Sequence, residues 1–158
     1  MSQYAEELRL RAVRPALERV GFWSQAAENL VLGTAAHESG GFLHRVQVGG
    51  GPALGLWQIE PDSHDDLYIN YLDYRHELRA ALIGLKTAID ADPYDELRDN
   101  DLYAAGVCRL IYRRSPDKLP DDPDDIAALA AIWKRAYNSV LGKGTVQKFM
   151  ADYARYVA

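Results

Sequence analysis

Apolar residues fall at helical spacing in nearly every stretch of this chain, and the pattern lapses in one, residues 42–61. The clearest stripe is Leu78, Leu82, Leu85 and Ile89, at intervals of 4, 3 and 4, which puts all four on one face of a helix. With Tyr68, Tyr71 and Leu72 leading in, Asp62 or Ser63 as cap and Asp90 to Pro93 as stop, this stretch predicts the central core helix. Residues 3–20 carry Leu10, Val13, Leu17 and Val20 on one face, and Pro15 either kinks that helix or starts a second one. Ser24 is a good N-cap for a helix over 25–38, and Asn100, Asp124 or Asp125, and Thr145 are caps for three more. Gly49-Gly50-Gly51-Pro52 marks an irregular loop or the tip of a small β-hairpin. With no repeat and no long linker, the expectation is a single mainly α domain over 1–158. It should have about six to seven helices around the 78–89 helix, and a short irregular or hairpin-like segment near 42–61.

Composition narrows the function. The net charge is −5, which disfavours nucleic acid as a partner, because neutralising phosphates needs a basic face. The single cysteine, Cys108, rules out an internal disulfide and is expected to be a small buried apolar side chain. No apolar run approaches the roughly 18 residues of a membrane span, so no membrane insertion is expected. The start, Met1 to Glu7, lacks the basic and apolar regions of a secretory signal. The chain is therefore expected to be made in a cytoplasm. No zinc-protease histidine pair follows His37-Glu38, and no serine-hydrolase elbow is present. Neither a metal nor a cofactor is expected.

The chemistry points to Glu38. Ala27, Val31, Ala35 and Glu38 share one helical face, so the carboxyl leaves the apolar side at the helix's last turn. Beside apolar surface its charged form is disfavoured and its pKa rises, which suits a proton donor. The alternative is an ordinary helix-end glutamate in solvent. Gly40 and Gly41 then end the helix and keep the space before Glu38 open.

Three segments occur in order: Glu38-Ser39, Gly55-Leu56-Trp57-Gln58-Ile59, and Ala136-Tyr137-Asn138-Ser139. Together they resemble the signature segments of the soluble lytic transglycosylases, members of the lysozyme-like superfamily that includes goose-type lysozymes. The resemblance covers about residues 25 to 140 and implies a lysozyme-like fold. It implies Glu38 as the general acid/base. Ser39 and Gln58 would be hydrogen-bonding residues near the scissile sugar, and Tyr137 and Asn138 the pair that contacts Glu38 and substrate. Trp57 replaces the family's methionine, as apolar packing or as a sugar platform. Ser139-Val140 replaces Ala-Gly, which bears on the shape of the cleft. Each residue has a plainer role open to it: core packing for Tyr137, a turn for Gln58, a helix end for Ser39.

The implied substrate is the glycan strand of peptidoglycan. Cutting it with one acid is transglycosylation, in which the sugar's own hydroxyl attacks; an inverting hydrolase needs a second carboxylate to activate water. Glu60, Asp62, Asp65 and Asp66 follow the second segment and offer one, or simply place negative charge at a helix N-terminus. The chain thus reads as a lytic transglycosylase, with a goose-type muramidase or a non-catalytic phage virion or wall-binding structural domain of the same fold as rivals. The chain also resembles compact bacteriophage versions, which implies virion proteins or a holin-type release factor as further partners. The protein would act on the wall after release, or be carried in a virion.

Overall fold

The computed structural model describes residues 2–138 and 142–158. Among them are eight helices and no strand. α1 (3–19) is continuous but widens into a π-turn over Arg9–Val13, and α2 is Gln25–Glu38. α3 is Pro61–Asn70, followed by a 3-10 turn at Leu72–Tyr74 and by α4, His76–Ile83. α5 is Pro93–Asp99, α6 is Asp101–Arg114, and α8 is Val146–Tyr156. α7 (126–138) ends in a second π-turn over Lys134–Asn138.

Capping chemistry sets several of these boundaries as expected. Ser24 accepts from the Ala27 N–H, Asn100 from those of Leu102 and Tyr103, Asp125 from that of Ala128, and Thr145 from that of Lys148. Each satisfies a donor that the first helical turn leaves unpaired. The cap of α3 is different: Glu60 holds that position and Pro61 is the first helical residue, in place of Asp62 or Ser63.

The expected core helix over 78–89 does not exist as one element. The stripe from Tyr68 to Ile89 is divided at Leu72–Tyr74, where the turn drives Leu72 fully into the core and α4 starts afresh. α4 ends at Ile83; Leu82 and Leu85 still pack over Gly106 of α6, but Ile89 is 82% exposed. Asp92 and Pro93, expected as a stop, are a start. The Asp92 carboxylate accepts from the Tyr94 N–H and opens α5. This division and the extra helix raise the count from the expected six or seven to eight.

The core instead surrounds α2 and α6. Eleven consecutive residues of α2, Ala26 to Ala36, are buried, and ten of the fourteen in α6. α2 packs against α8, α7 and α6, and α6 also packs against α1 and α5. One cluster of buried side chains runs from Ala5 to Val157. In α1 the expected face is broken, and Leu10 is 52% exposed. Pro15 cannot donate a helical hydrogen bond, and just before it the Arg14 N–H reaches back five residues to the Arg9 carbonyl. That widened turn rotates Leu10 outward while Leu8, Val13 and Leu17 stay buried.

The 42–61 segment is irregular and the hairpin is absent. Two isolated antiparallel bridges, Val46 with Leu54 and Leu54 with Ile59, are its only sheet-like pairings among the described residues. Gln47 accepts the Ala53 N–H through its side chain, where a ladder would use backbone. Positive φ at Gly49, Gly50, Gly55 and Gln58 keeps the chain from extending into strands.

Candidate active site

α2 delivers Glu38 at its last position, and the helix ends in a tight knot behind it. The Ser39 hydroxyl donates to the Ala35 carbonyl (2.6 Å) and accepts from the Phe42 N–H (2.7 Å). The Gly41 N–H closes onto the Ala36 carbonyl at 2.8 Å. Gly41 has φ +83°, and a Cβ there would lie 2.5 Å from the Tyr156 ring. Glycine is thus demanded by the packing of α8, and neither Gly40 nor Gly41 lines the space before Glu38.

That space is a cleft of about 610 Å³. Glu38 is on one wall with Tyr137 and Asn138 from the π-turn of α7. Gln58, Ile59 and Glu60 come from the turn before α3; Ser63, Asp66 and Leu67 from α3; Ile111, Arg114 and Ser115 from the end of α6. Six residues singled out in the sequence therefore meet: Glu38, Gln58, Glu60, Asp66, Tyr137 and Asn138. Ser39, Trp57, Asp62 and Asp65 lie outside the lining. Ser139 and Val140 lie outside the described residues.

Burial is the main influence on Glu38 and raises its carboxyl pKa above the ordinary value. Two contacts oppose this in part. The Trp133 indole N–H donates to Oε1 at 3.0 Å, and the neighbouring His37 favours the charged form. The thiol and hydroxyls of Cys108, Tyr112 and Tyr137 are pushed well up, first by their own burial and further by the charge of Glu38.

The other sequence candidates have distinct placements. Tyr137 does not donate to Glu38. Its hydroxyl donates to the Trp57 carbonyl, and its ring stacks on Tyr112 with centroids 5.4 Å apart. It thereby clamps the Gly55–Ile59 turn against α7. Trp57 is 0% exposed and donates its indole N–H to the Val31 carbonyl at 2.9 Å. It has no face to offer a sugar, so packing is the role it fills. Gln58 sits at φ +47°, a conformation uncommon outside glycine, and its side-chain amide donates to the Gly55 carbonyl at 2.9 Å. The Asn138 side-chain oxygen accepts from Lys134 Nζ at 2.7 Å, and the same ammonium donates to the Gly142 and Gly144 carbonyls.

Among the acids near the second segment, Glu60 is exposed and lines the cleft. Asp62 is exposed on the first turn of α3, outside the cleft lining. Asp65 accepts from the Tyr94 hydroxyl at 2.6 Å and pairs with His64. Asp66 lines the cleft, where hydrogen bonds from Asn70 and Arg114 hold its carboxyl below the usual range. Sequence reasoning missed Trp133 as a partner of Glu38, although its phase one turn before Tyr137 was visible. It also missed Arg114 and Ser115, which only the packing of α6 beside α3 brings in. Among the described residues no three His, Cys, Asp or Glu side chains gather as metal ligands would, and no helix is long and apolar enough to cross a membrane.

Chemically, the site offers a half-buried acid of raised pKa on a cleft of about 610 Å³, the amide side chains of Gln58 and Asn138 on the same lining, and two exposed carboxylates there, Glu60 and the Arg114-paired Asp66. No family model, curated protein or solved structure matches the chain.

Proposed function

We propose that this protein is a lytic transglycosylase with a lysozyme-like domain, cleaving the β-1,4 bond between N-acetylmuramic acid and N-acetylglucosamine in peptidoglycan. The observation that carries this is Glu38: a carboxyl raised in pKa by burial, on the lining of a cleft of about 610 Å³ that Gln58, Tyr137 and Asn138 share. A glycosidic oxygen leaves only when protonated, and a carboxyl that burial makes hold its proton more tightly is suited to donate it. Glu38 gives its proton to the leaving oxygen. The muramic acid C6 hydroxyl then attacks the anomeric carbon, and Glu38 takes back the proton that hydroxyl releases. The product is a 1,6-anhydro sugar, and no water is consumed.

One observation favours a second reading. Glu60 lines the same cleft and is exposed, so it is available as the base that a muramidase uses to activate water. Asp62 is less suited to that role, because it lies outside the lining.

Mass analysis of the products from purified peptidoglycan separates these. Wild type is expected to release anhydro-muropeptides, Glu38→Gln none, and Glu60→Gln the same anhydro products as wild type. Hydrated reducing ends that vanish with Glu60→Gln would establish the muramidase instead. Cleavage by Glu38→Gln at the wild-type rate would remove Glu38 from the mechanism.

A further inference from the structure

We propose that Trp133 is the positioning residue of Glu38: its indole N–H fixes Oε1 and leaves Oε2 as the oxygen that carries the proton into the cleft. This rests on Glu38 being the general acid/base.

The contact is well defined. Trp133 Nε1 lies 3.0 Å from Oε1, and the indole is fully buried. Its ring stacks on Phe149 with centroids 5.2 Å apart, and the His37 ring meets it edge-on at 4.5 Å. His37 is in turn held by Asp152 of α8, 2.7 Å from its Nδ1. The N–H therefore has a fixed aim, set by α2, α7 and α8 together.

An indole nitrogen donates and never accepts. The carbonyl oxygen of a protonated carboxyl is its stronger acceptor, so this contact favours Oε1 as the carbonyl oxygen and Oε2 as the oxygen that carries the proton. Oε2 has no hydrogen-bond partner among the described residues. In the reaction the Oε2 proton goes to the glycosidic oxygen as its bond to the anomeric carbon breaks. The C6 oxygen bonds to that carbon, and the proton it sheds returns to Oε2. Glu38 ends as it began, with the Trp133 bond kept throughout.

The same N–H stabilises the carboxylate and so works against burial. The other groups facing Glu38 are His37 beside it, Cys108 and Tyr112 of α6, and Tyr137 of α7. Glu60, Asp66 and Arg114 lie around the cleft. Removing the donor while keeping an aromatic ring, as in Trp133→Phe, takes away the larger of the two influences that lower the Glu38 pKa and leaves His37 in place. A hydrogen bond to a charged group corresponds to about tenfold in the acid dissociation constant, or about one pH unit.

The test is a titration of the Glu38 carboxyl carbon by 13C NMR in wild type and Trp133→Phe, with pH–rate profiles of both. The variant is expected to titrate about one pH unit higher, with its alkaline activity limb moved up likewise and its maximum rate reduced. An unmoved titration, or a rate loss with an unchanged pH profile, would show Trp133 to be core filling and overturn the proposal. Should Trp133→Phe fail to fold, the Trp133 indole N–H resonance is followed with pH in wild type and Glu38→Gln. A shift that tracks Glu38 in wild type and is absent in Glu38→Gln supports the contact; a resonance indifferent to pH in both overturns it. These titrations need no substrate, so they read the contact separately from glycan cleavage.

Discussion

A carboxyl enclosed by buried walls weakens the fold whenever it is ionised, because water would have solvated that charge better. Glu38 is in this position. Its folded pKa is raised, with burial the largest cause, so the folded protein holds the proton more tightly than the unfolded chain. Stability therefore falls as pH climbs from the ordinary 4.5 through the raised value. Glu38→Gln removes the charge and keeps an acceptor for Trp133. The variant is expected to melt at a higher temperature than wild type at neutral pH, with the two curves converging below 4.5. Its glycan cleavage is expected to fall by at least about 100-fold. Thermal unfolding across pH, run beside the product assay, checks both. A wild type more stable than the variant at neutral pH would mean that Glu38 is better solvated than its surroundings imply.

The turn from Gly55 to Glu60 is the element that shapes the cleft opposite α7. Gly55 has φ +73°, and a Cβ there would lie 2.0 Å from the Leu97 carbonyl oxygen of α5. Backbone on both sides leaves no flexible side chain to yield. Gly55→Ala is expected to cost about 3 kcal/mol or more, through the clash and the left-handed strain together. Gly50→Ala, at φ +84° with nothing within 4 Å, should cost only about 1 kcal/mol, from strain alone. Urea unfolding of both variants checks the difference; equal losses would mean that α5 moves aside freely. Elements of this kind explain what the sequence made legible. Caps such as Ser24 and Thr145 are local, so their helices could be read directly. α2 is buried on all sides, and such a helix shows little of the period that marks an amphipathic one. The regular stripe from Leu78 to Ile89 therefore looked more central than it is. At the site, Glu38, Gln58, Tyr137 and Asn138 were legible through ordered motifs. Arg114 was not, because no local pattern records that the end of α6 lies beside α3. The Tyr137 hydroxyl was matched to the wrong acceptor because helical phase gives a direction inward and not the atom at its end.

At the scale of the whole molecule, Glu28 ties α1, the connection after it and the start of α2 together through one buried carboxylate. It is fully buried at the start of α2. It accepts from Arg9 and from Arg14 (2.6 Å) of α1, from the Trp23 indole (3.1 Å) in the connection, and from Gln25 (2.9 Å). Arg9 also reaches Asn29, whose side-chain N–H group donates to the Pro123 carbonyl in the loop before α7. Burial alone would raise the Glu28 pKa; the hydrogen bonds led by Arg14 override it and hold the carboxyl at about 2, against an ordinary 4.5. A folded pKa below the unfolded one gives stability that is present above 4.5 and lost as pH falls through about 2. The difference corresponds to about 3 kcal/mol. Glu28→Gln leaves the buried Arg9 without its buried countercharge, with only the half-exposed Glu6 at 3.7 Å remaining, and a loss of about 3 kcal/mol is expected at neutral pH. Protonated Glu28 and Gln are nearly isosteric, so the gap between the two proteins should close as pH falls from 4.5 toward about 2. Urea midpoints of wild type and Glu28→Gln at neutral and acid pH measure that gap directly. A gap independent of pH would mean that shape and not charge holds α1, α2 and the loop before α7 together.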